Sequence, residues 1–224
     1  KQLHFAVENL VLKNISQLEE IENVFLIKLM TIKDQLKGLD KVKKKPLNFV
    51  TFKHTKTKRK YIDRMIDEKV KCMNISKRYD KEYWDGDRRY GYGGYRYIEG
   101  YQTYLAKKII KKFKLNKYSK ILDLGCGKGF LMYELKKILS NNNIYGLDLS
   151  KYAIKNAKSE IKEKISFYDI RKKLKYIDKS FDLVISINVL HNLKLEEIES
   201  ALKEIERIGI SKYICVESYR NNQE

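Results

Sequence analysis

Ile121-Leu-Asp-Leu-Gly-Cys-Gly-Lys-Gly-Phe130 is the stretch on which the fold turns: a short apolar run closing on three glycines at alternate positions. Ile121, Leu122 and Leu124 read as a buried parallel strand, and a helical pattern is expected from about Lys128. Glycines at a strand-to-helix turn let a ligand approach the backbone where a Cβ would block it. The helix N-terminus beyond offers free N–H groups to a polar or anionic group. Asp123, just ahead of the first glycine, adds a carboxylate that suits a cation or an amine. A dinucleotide fingerprint would space its glycines G-x-G-x-x-G and carry no acid before them.

Working outward, the same unit repeats. Asn143-Ile-Tyr-Gly-Leu-Asp148 reads as a second strand ending in an acid placed for a pair of ribose hydroxyls. A helix follows, with Ser150 as its N-cap and Ala153, Ile154, Ala157 and Ile161 on one face. Ile165-Ser-Phe-Tyr-Asp169 is a third strand, and its terminal acid is in reach of an adenine amino group. Phe181-Asp-Leu-Val-Ile-Ser-Ile187 is the fourth. A helix from about Leu195 to Arg207 is expected to bury Ile198, Leu202, Ile205 and Ile208 and to stop at Gly209. Tyr213-Ile-Cys-Val-Glu217 is the fifth strand. Strands alternating with helices give an α/β fold, a doubly wound parallel sheet with ligand at the carboxyl ends of its strands. One acid at a strand end is ordinary turn chemistry. Three in order behind a glycine turn suit S-adenosylmethionine (SAM), which carries an amine, a carboxylate, a sulfonium and a ribose.

On these residues the sequence resembles the class I SAM-dependent methyltransferases. Asp123-Leu-Gly125-Cys-Gly127-Lys-Gly129 is similar to their first motif, Asp148 to their ribose-binding acid and Asp169 to their adenine-side acid. Phe181-Asp182 to Leu193 is similar to the fourth-strand motif beside the transferred methyl. The resemblance covers about residues 105 to 217. It implies a Rossmann-like core, SAM as cofactor, and cofactor contacts from Asp123, Gly125, Cys126, Gly127, Gly129, Asp148, Leu149, Asp169, Ile170 and Ile187. Upstream, Tyr83-Trp-Asp-Gly-Asp-Arg-Arg-Tyr-Gly-Tyr-Gly-Gly-Tyr-Arg-Tyr97 looks like a segment preceding the core in a bacterial subgroup linked with sugar pathways.

That segment reads as a mobile aromatic lid. Tyr90, Tyr92, Tyr95 and Tyr97 alternate with Gly91, Gly93 and Gly94, and glycine–aromatic interleaving is entropically costly for a mere spacer. Aromatic faces hold a sulfonium by cation–π attraction of ~0.5–2 kcal/mol. Tyr92 and Arg96 are the expected cofactor contacts, Arg96 through the carboxylate, and Tyr95 an expected substrate contact. Past the fourth strand, Asn188-Val-Leu-His-Asn-Leu193 brings His191 as a candidate general base, with Asn188 and Asn192 to orient the acceptor. A loop hydrogen bond is the competing role for His191.

Composition bounds the rest. The 224 residues are 43% hydrophobic, enough for one good-sized domain with an appendage. No uninterrupted membrane span is visible, since Val24 to Met30 already contains Lys28, and no secretory signal opens the chain. Cys72, Cys126 and Cys215 are unclustered, which suits a reducing compartment and argues against disulfides and zinc; a cytoplasmic location is expected. The net charge of +19 raises nucleic acid as a partner. Residues 41–60 hold nine Lys or Arg without an acid, and residues 107–120 hold seven lysines without one. Lys outnumbers Arg about fourfold, however, as an AT-rich genome produces, and Arg is the better bidentate phosphate ligand. Solvated lysine faces are the favoured explanation.

Three regions are expected: a helical extension over 1–40, a basic linker with the lid over 41–104, and the core over 105–224. Leu10, Val11, Ile15, Leu18, Ile21, Phe25, Leu29, Ile32 and Leu36 mark helix over 5–37 up to Gly38, packing on the core or on a second copy as a homodimer. Tyr61 to Met73 reads as another short helix. The chain begins without methionine and ends seven residues after the fifth strand, so a fragment lacking the last strands is expected, or an edge covered by another element.

Methyl transfer from a sulfonium is in-line displacement, in which the protein mainly aligns donor and acceptor. Ser186-Ile-Asn-Val189 lacks the Asn/Asp-Pro-Pro-aromatic turn of amino-directed enzymes, and the only proline, Pro46, rules out a Pro-Cys pair for attack on cytosine. The acid pattern of metal-dependent catechol-type enzymes is absent as well. The reading that leads is a methyltransferase for a hydroxyl or amine of a small polar molecule, a sugar among them. The alternatives are an RNA or protein methyltransferase docking through its lysines, and a non-catalytic SAM-binding subunit or fragment.

Overall fold

Ile121–Leu124 (β1) lies at the middle of a five-stranded sheet in the order β3-β2-β1-β4-β5, all parallel, in the computed structural model of the chain. Its neighbours are Ile144–Asp148 (β2) and Phe181–Ile187 (β4); Ile165–Phe167 (β3) and Gly209–Cys215 (β5) flank them. The chain divides into two compact units, 1–48 and 49–224, and the structure describes residues 49 and 68–215, all in the second. The helix expected over 5–37, the basic stretch over 41–60 apart from Phe49, the start of the helix expected over 61–73, and Glu217 lie outside the described residues.

Among the described residues, six helices precede, join or flank the strands before the last crossover: Lys69–Ser76 (α1), Lys81–Asp85 (α2), Thr103–Phe113 (α3), Phe130–Leu139 (α4), Lys151–Lys155 (α5) and Ser159–Lys162 (α6). A 3₁₀ turn, Leu190–Asn192, leads into Leu195–Ile208 (α7). Side chains alternate across a strand, and the two cores follow that alternation. Ile121 and, on β4, Leu183 and Ile185 join Leu105, Ala106 and Ile109 of α3 and Leu131, Met132 and Leu135 of α4. Leu122, Leu124 and Val184 face the other way, onto Ala201, Ile205 and Ile208 of α7. Each fully buried Leu or Ile contributes about 1.5–3 kcal/mol. Among the described residues no helix is long and apolar enough to cross a membrane.

Local chemistry set most boundaries. Ser150 caps α5 as expected, its Oγ accepting from the Ala153 N–H at 3.0 Å. The single helix expected after it is broken, because Asn156 ends α5 and α6 restarts at Ser159. The third strand stops at Phe167, two residues short of Asp169. The fifth begins at Gly209, earlier than expected, since the glycine that ends α7 is already paired with β4. On α7 the packed face runs through Ala201, Ile205 and Ile208, so Ile198 is half-buried and Leu202 is exposed rather than buried.

From β1 the chain steps outward to β2 and β3, then crosses back to β4 on the other side of β1. The loops leaving β1 and β4 therefore diverge, and a crevice opens at their carboxyl ends. The glycine turn sits there.

Candidate functional site

The turn is built by packing as much as by freedom of the backbone. Gly125, Gly127 and Gly129 all have positive φ, between 57° and 73°, and α4 starts directly behind them. A Cβ on Gly125 would lie 2.2 Å from Val189 Cγ2, and one on Gly127 2.8 Å from Trp84 Cη2. On Gly129 it would lie 2.3 Å from Ile161 Cδ1, in the core. Gly129 thus serves packing, and lines neither hollow described below. The N–H groups of Gly125 and Cys126 reach the Leu147 carbonyl at 2.7 and 3.2 Å, tying the turn to β2.

Asp148 completes that tie. Its carboxylate accepts from the Gly127 N–H at 2.7 Å and from the Ser150 N–H at 2.7 Å. Burial raises its pKa against these hydrogen bonds. Asp123 is buried beneath the turn; burial, then the nearby Asp148 charge, pushes its pKa up to about 7. Burial, with Asp123 and Asp148, also holds the Cys126 thiol well above its ordinary value.

Above the turn lies the aromatic segment, and it is not a loose loop. After α2 the chain folds back so that the Tyr92 N–H reaches the Tyr83 carbonyl, and the Gly94 and Tyr95 N–H groups the Trp84 carbonyl, at 2.9–3.0 Å. Trp84 and Tyr92 stack with ring centroids 5.2 Å apart and planes 3° from parallel. Tyr95 continues the stack onto Phe130 at 4.9 Å, and Tyr97 packs edge-on against Phe130 and Tyr133. Trp84 Nε1 donates to Ser150 Oγ at 2.8 Å, and the Tyr97 hydroxyl donates to buried Glu134. The mobile lid expected from its glycines is a docked roof, because its rings and hydrogen bonds have partners on the core.

Two hollows flank the Trp84–Tyr92 pair, and both include Trp84, Tyr92, Gly125 and Ile187 in their walls. The first adds Asp148, Leu149, Asp169, Ile170, Asn188 and Asn192. The second adds Asp123, Cys126, Gly127, Tyr95, Tyr101 and Gln102. Most residues picked from the sequence therefore meet in one divided crevice. Asp169 enters it already gripped by Arg171, whose Nε and Nη2 reach the two carboxylate oxygens at 2.8 and 2.7 Å and hold its pKa down. Asn188 has φ of 57°, and its buried Oδ1 has no hydrogen-bond partner; the nearby Ser186 Oγ is also unsatisfied. Buried polar atoms of that kind ask for a partner.

Like Gly129, two more residues picked from the sequence stand outside both hollows. Arg96 is exposed and lines neither hollow, because Tyr95 and Tyr97 on either side take the inward positions of an extended run. His191 is exposed on the 3₁₀ turn and lines neither hollow, since Leu190 is the residue of that turn that enters the core. Sequence reasoning missed Trp84 as the roof, and Asp85 and Lys128 beneath it. Trp84 stood in the quoted aromatic segment as its one indole, which was the available signal. Nothing in the sequence pairs Asp85 with Lys128.

Residues 122–212 match the family described as a methyltransferase domain, from β1 into β5. Solved structures similar to the chain include a Methanococcus maripaludis protein described as a candidate S-adenosyl-L-methionine-dependent methyltransferase. It is 27% identical over 51% of this chain and 54% of that one, with a TM-score of 0.44. PH0226 of Pyrococcus horikoshii OT3 is 26% identical over 58% of this chain and 55% of that one, at 0.43. A SAM-dependent methyltransferase of Aquifex aeolicus is 21% identical over 46% and 57%, at 0.38. The chain spans just over half the length of these proteins. No curated protein matches it. Over that segment the chain is similar to methyltransferase domains.

Proposed function

We propose that the chain transfers a methyl group from SAM to a hydroxyl or amine of a small polar molecule, a sugar being one candidate. The observation that carries this is the divided crevice, where Asp123, Asp148 and Asp169, all at or near the carboxyl ends of strands, line the walls together with the glycine turn. Its residues fit the donor. The first hollow offers Leu149 and Ile170 as apolar walls for adenine and the Asp148 carboxylate for ribose hydroxyls. The second offers Asp123 to the ammonium end, under the rings of Tyr92 and Tyr95. When bound, the donor supplies a methyl group made electrophilic by its sulfonium.

The protein's own part is alignment and exclusion of water. Trp84, Tyr92 and Tyr95 roof the crevice, and a covered donor site suits a compact acceptor better than a long polymer. Asn188, at the end of β4, lines the first hollow beside shared wall residue Ile187, and its unpaired Oδ1 can accept from an acceptor O–H or N–H. Such a contact fixes the direction of a lone pair, which is what in-line transfer demands. His191 is given no role as base from its exposed position.

A second reading, docking of an anionic polymer, is favoured by one observation. Lys107, Lys108, Lys111 and Lys112 are exposed along α3, and none forms an ion pair among the described residues. Titration calorimetry with SAM tests the main reading: Asp148→Ala is expected to lose at least tenfold in affinity, and equal binding removes it. Labelled-methyl incorporation into metabolite, RNA and protein fractions then separates the acceptors; label confined to RNA, with binding that collapses between low and moderate salt, selects the second reading.

A further inference from the structure

The Trp84–Tyr92 pair stands between the two hollows, directly on the glycine turn. A single ligand filling both hollows has to pass between that pair and Gly125 to Gly127. Over Gly127 there is no room for it, because Trp84 Cη2 is 2.8 Å from where a Cβ of Gly127 would be. A chain of carbon atoms needs about 3.5–4 Å to each side. A donor seated over Gly127 therefore has to lift the roof, and what holds the roof down becomes decisive.

Under the roof lies an ion pair between a buried lysine and a half-buried aspartate. Lys128, the residue between Gly127 and Gly129, is 5% exposed. Its Nζ donates to both oxygens of Asp85, at 2.8 and 2.7 Å, and to the Tyr95 carbonyl at 2.8 Å. All three ammonium donors are therefore used. Asp85, the last residue of α2 and the neighbour of Trp84, also accepts from the Tyr152 hydroxyl at 2.8 Å and the Tyr95 N–H at 3.0 Å. Lys128 thus grips the roof at both of its ends, Asp85 before the fold-back and Tyr95 after it. Removing Asp85 alone is more disruptive than removing both, because Lys128 is then left charged and buried.

We infer that Asp85 and Lys128 are positioning residues that latch the Trp84–Tyr92 pair over the donor crevice, so that donor exchange is governed by this ion pair. The inference rests on the donor reading above. Because Lys128 belongs to the turn itself, a donor seated on Gly127 displaces Trp84 and loads the latch in the same movement. Tyr152 is a lesser prop, touching only one oxygen of Asp85.

Trp84 is the only tryptophan of the chain, so its fluorescence reports the roof alone. The test compares the wild type with Asp85→Asn, the double variant Asp85→Asn/Lys128→Met, which removes both charges together, and Tyr152→Phe. Acrylamide quenching of Trp84 in the donor-free protein is expected to rise at least threefold in the first two and little in the third. The dissociation rate of SAM, followed at Trp84 by stopped flow, is expected to rise at least tenfold in the same two, with the thermal midpoint of the double variant near that of the wild type. Unchanged quenching and dissociation in the folded double variant would overturn the latch. Failure of the wild type to bind SAM would remove the donor reading instead, and the quenching comparison would still decide the latch.

Discussion

The glycine turn over Asp123 to Phe130 and the aromatic roof over Tyr83 to Tyr97 both interleave glycine with other residues, yet they are held by opposite means. In the turn every glycine has positive φ and a Cβ would meet a packed side chain: Val189, Trp84 or Ile161. In the roof, Gly91 and Gly93 are also packed, against Tyr83 and Arg88, but Gly94 has φ of 105° with open space around it, and most of the order comes from stacked rings and the Asp85–Lys128 pair. The first is a backbone solution that tolerates one kind of residue. The second is a side-chain solution, spread over partners up to 67 positions apart in the chain.

The contrast breaks most sharply at matched glycines. Gly129→Val should cost about 3–5 kcal/mol, combining left-handed strain with overpacking against Ile161 and Ile165. Gly94→Ala should cost only the strain, about 1–2 kcal/mol. Urea unfolding of the two variants checks this, and equal losses would erase the distinction.

Next comes pH, which should act through the turn. Unfolded, the Asp123 carboxyl titrates near 4. Folded, it titrates at about 7, so the native protein keeps a proton that the unfolded chain has lost between these values. Stability therefore falls as pH rises through that window, by up to about 4 kcal/mol, and Asp123→Asn should flatten the slope in unfolding series from pH 5 to 8. SAM affinity should run the other way, strengthening as pH passes 7 and the carboxylate becomes available to an ammonium group.

In the roof the effects are smaller. Tyr97→Phe leaves buried Glu134 with the Thr103 hydroxyl as its remaining side-chain donor and should cost about 1–2 kcal/mol in thermal or urea unfolding. His191→Ala, outside both regions, should change the methyl-transfer rate by about twofold at most, the scale of an ordinary surface substitution. A tenfold loss with an altered pH profile would restore it as a base.

The same contrast explains what the sequence could tell. Spacing announces a backbone requirement, so the alternating glycines, the strand-end acid Asp148 and the cap at Ser150 were all legible. Short apolar runs also marked the central strands, which are buried on both faces. Helix faces were read less well: an apolar residue at nearly the right angle, Leu202, lost its place to Ala201, which lets β4 approach the helix. Side-chain partners distant in sequence leave no periodic trace. Asp85 with Lys128, Trp84 with Ser150 and Tyr97 with Glu134 are 43, 66 and 37 residues apart, and each required coordinates. Tyr92 and Tyr95 were found because rings crowded among glycines are conspicuous, whereas Arg96 was assigned by its charge and lost by its direction.

Cys126 carries a consequence of its own. Nucleophilic attack on peroxide or on an alkylating agent requires a thiolate, and here burial beside two carboxyl groups keeps the sulfur protonated. Oxidants would consume any more acidic, better exposed thiol in the cell long before this one. The bend that the whole crevice depends on is thereby proofed against corrosion at its one oxidisable atom.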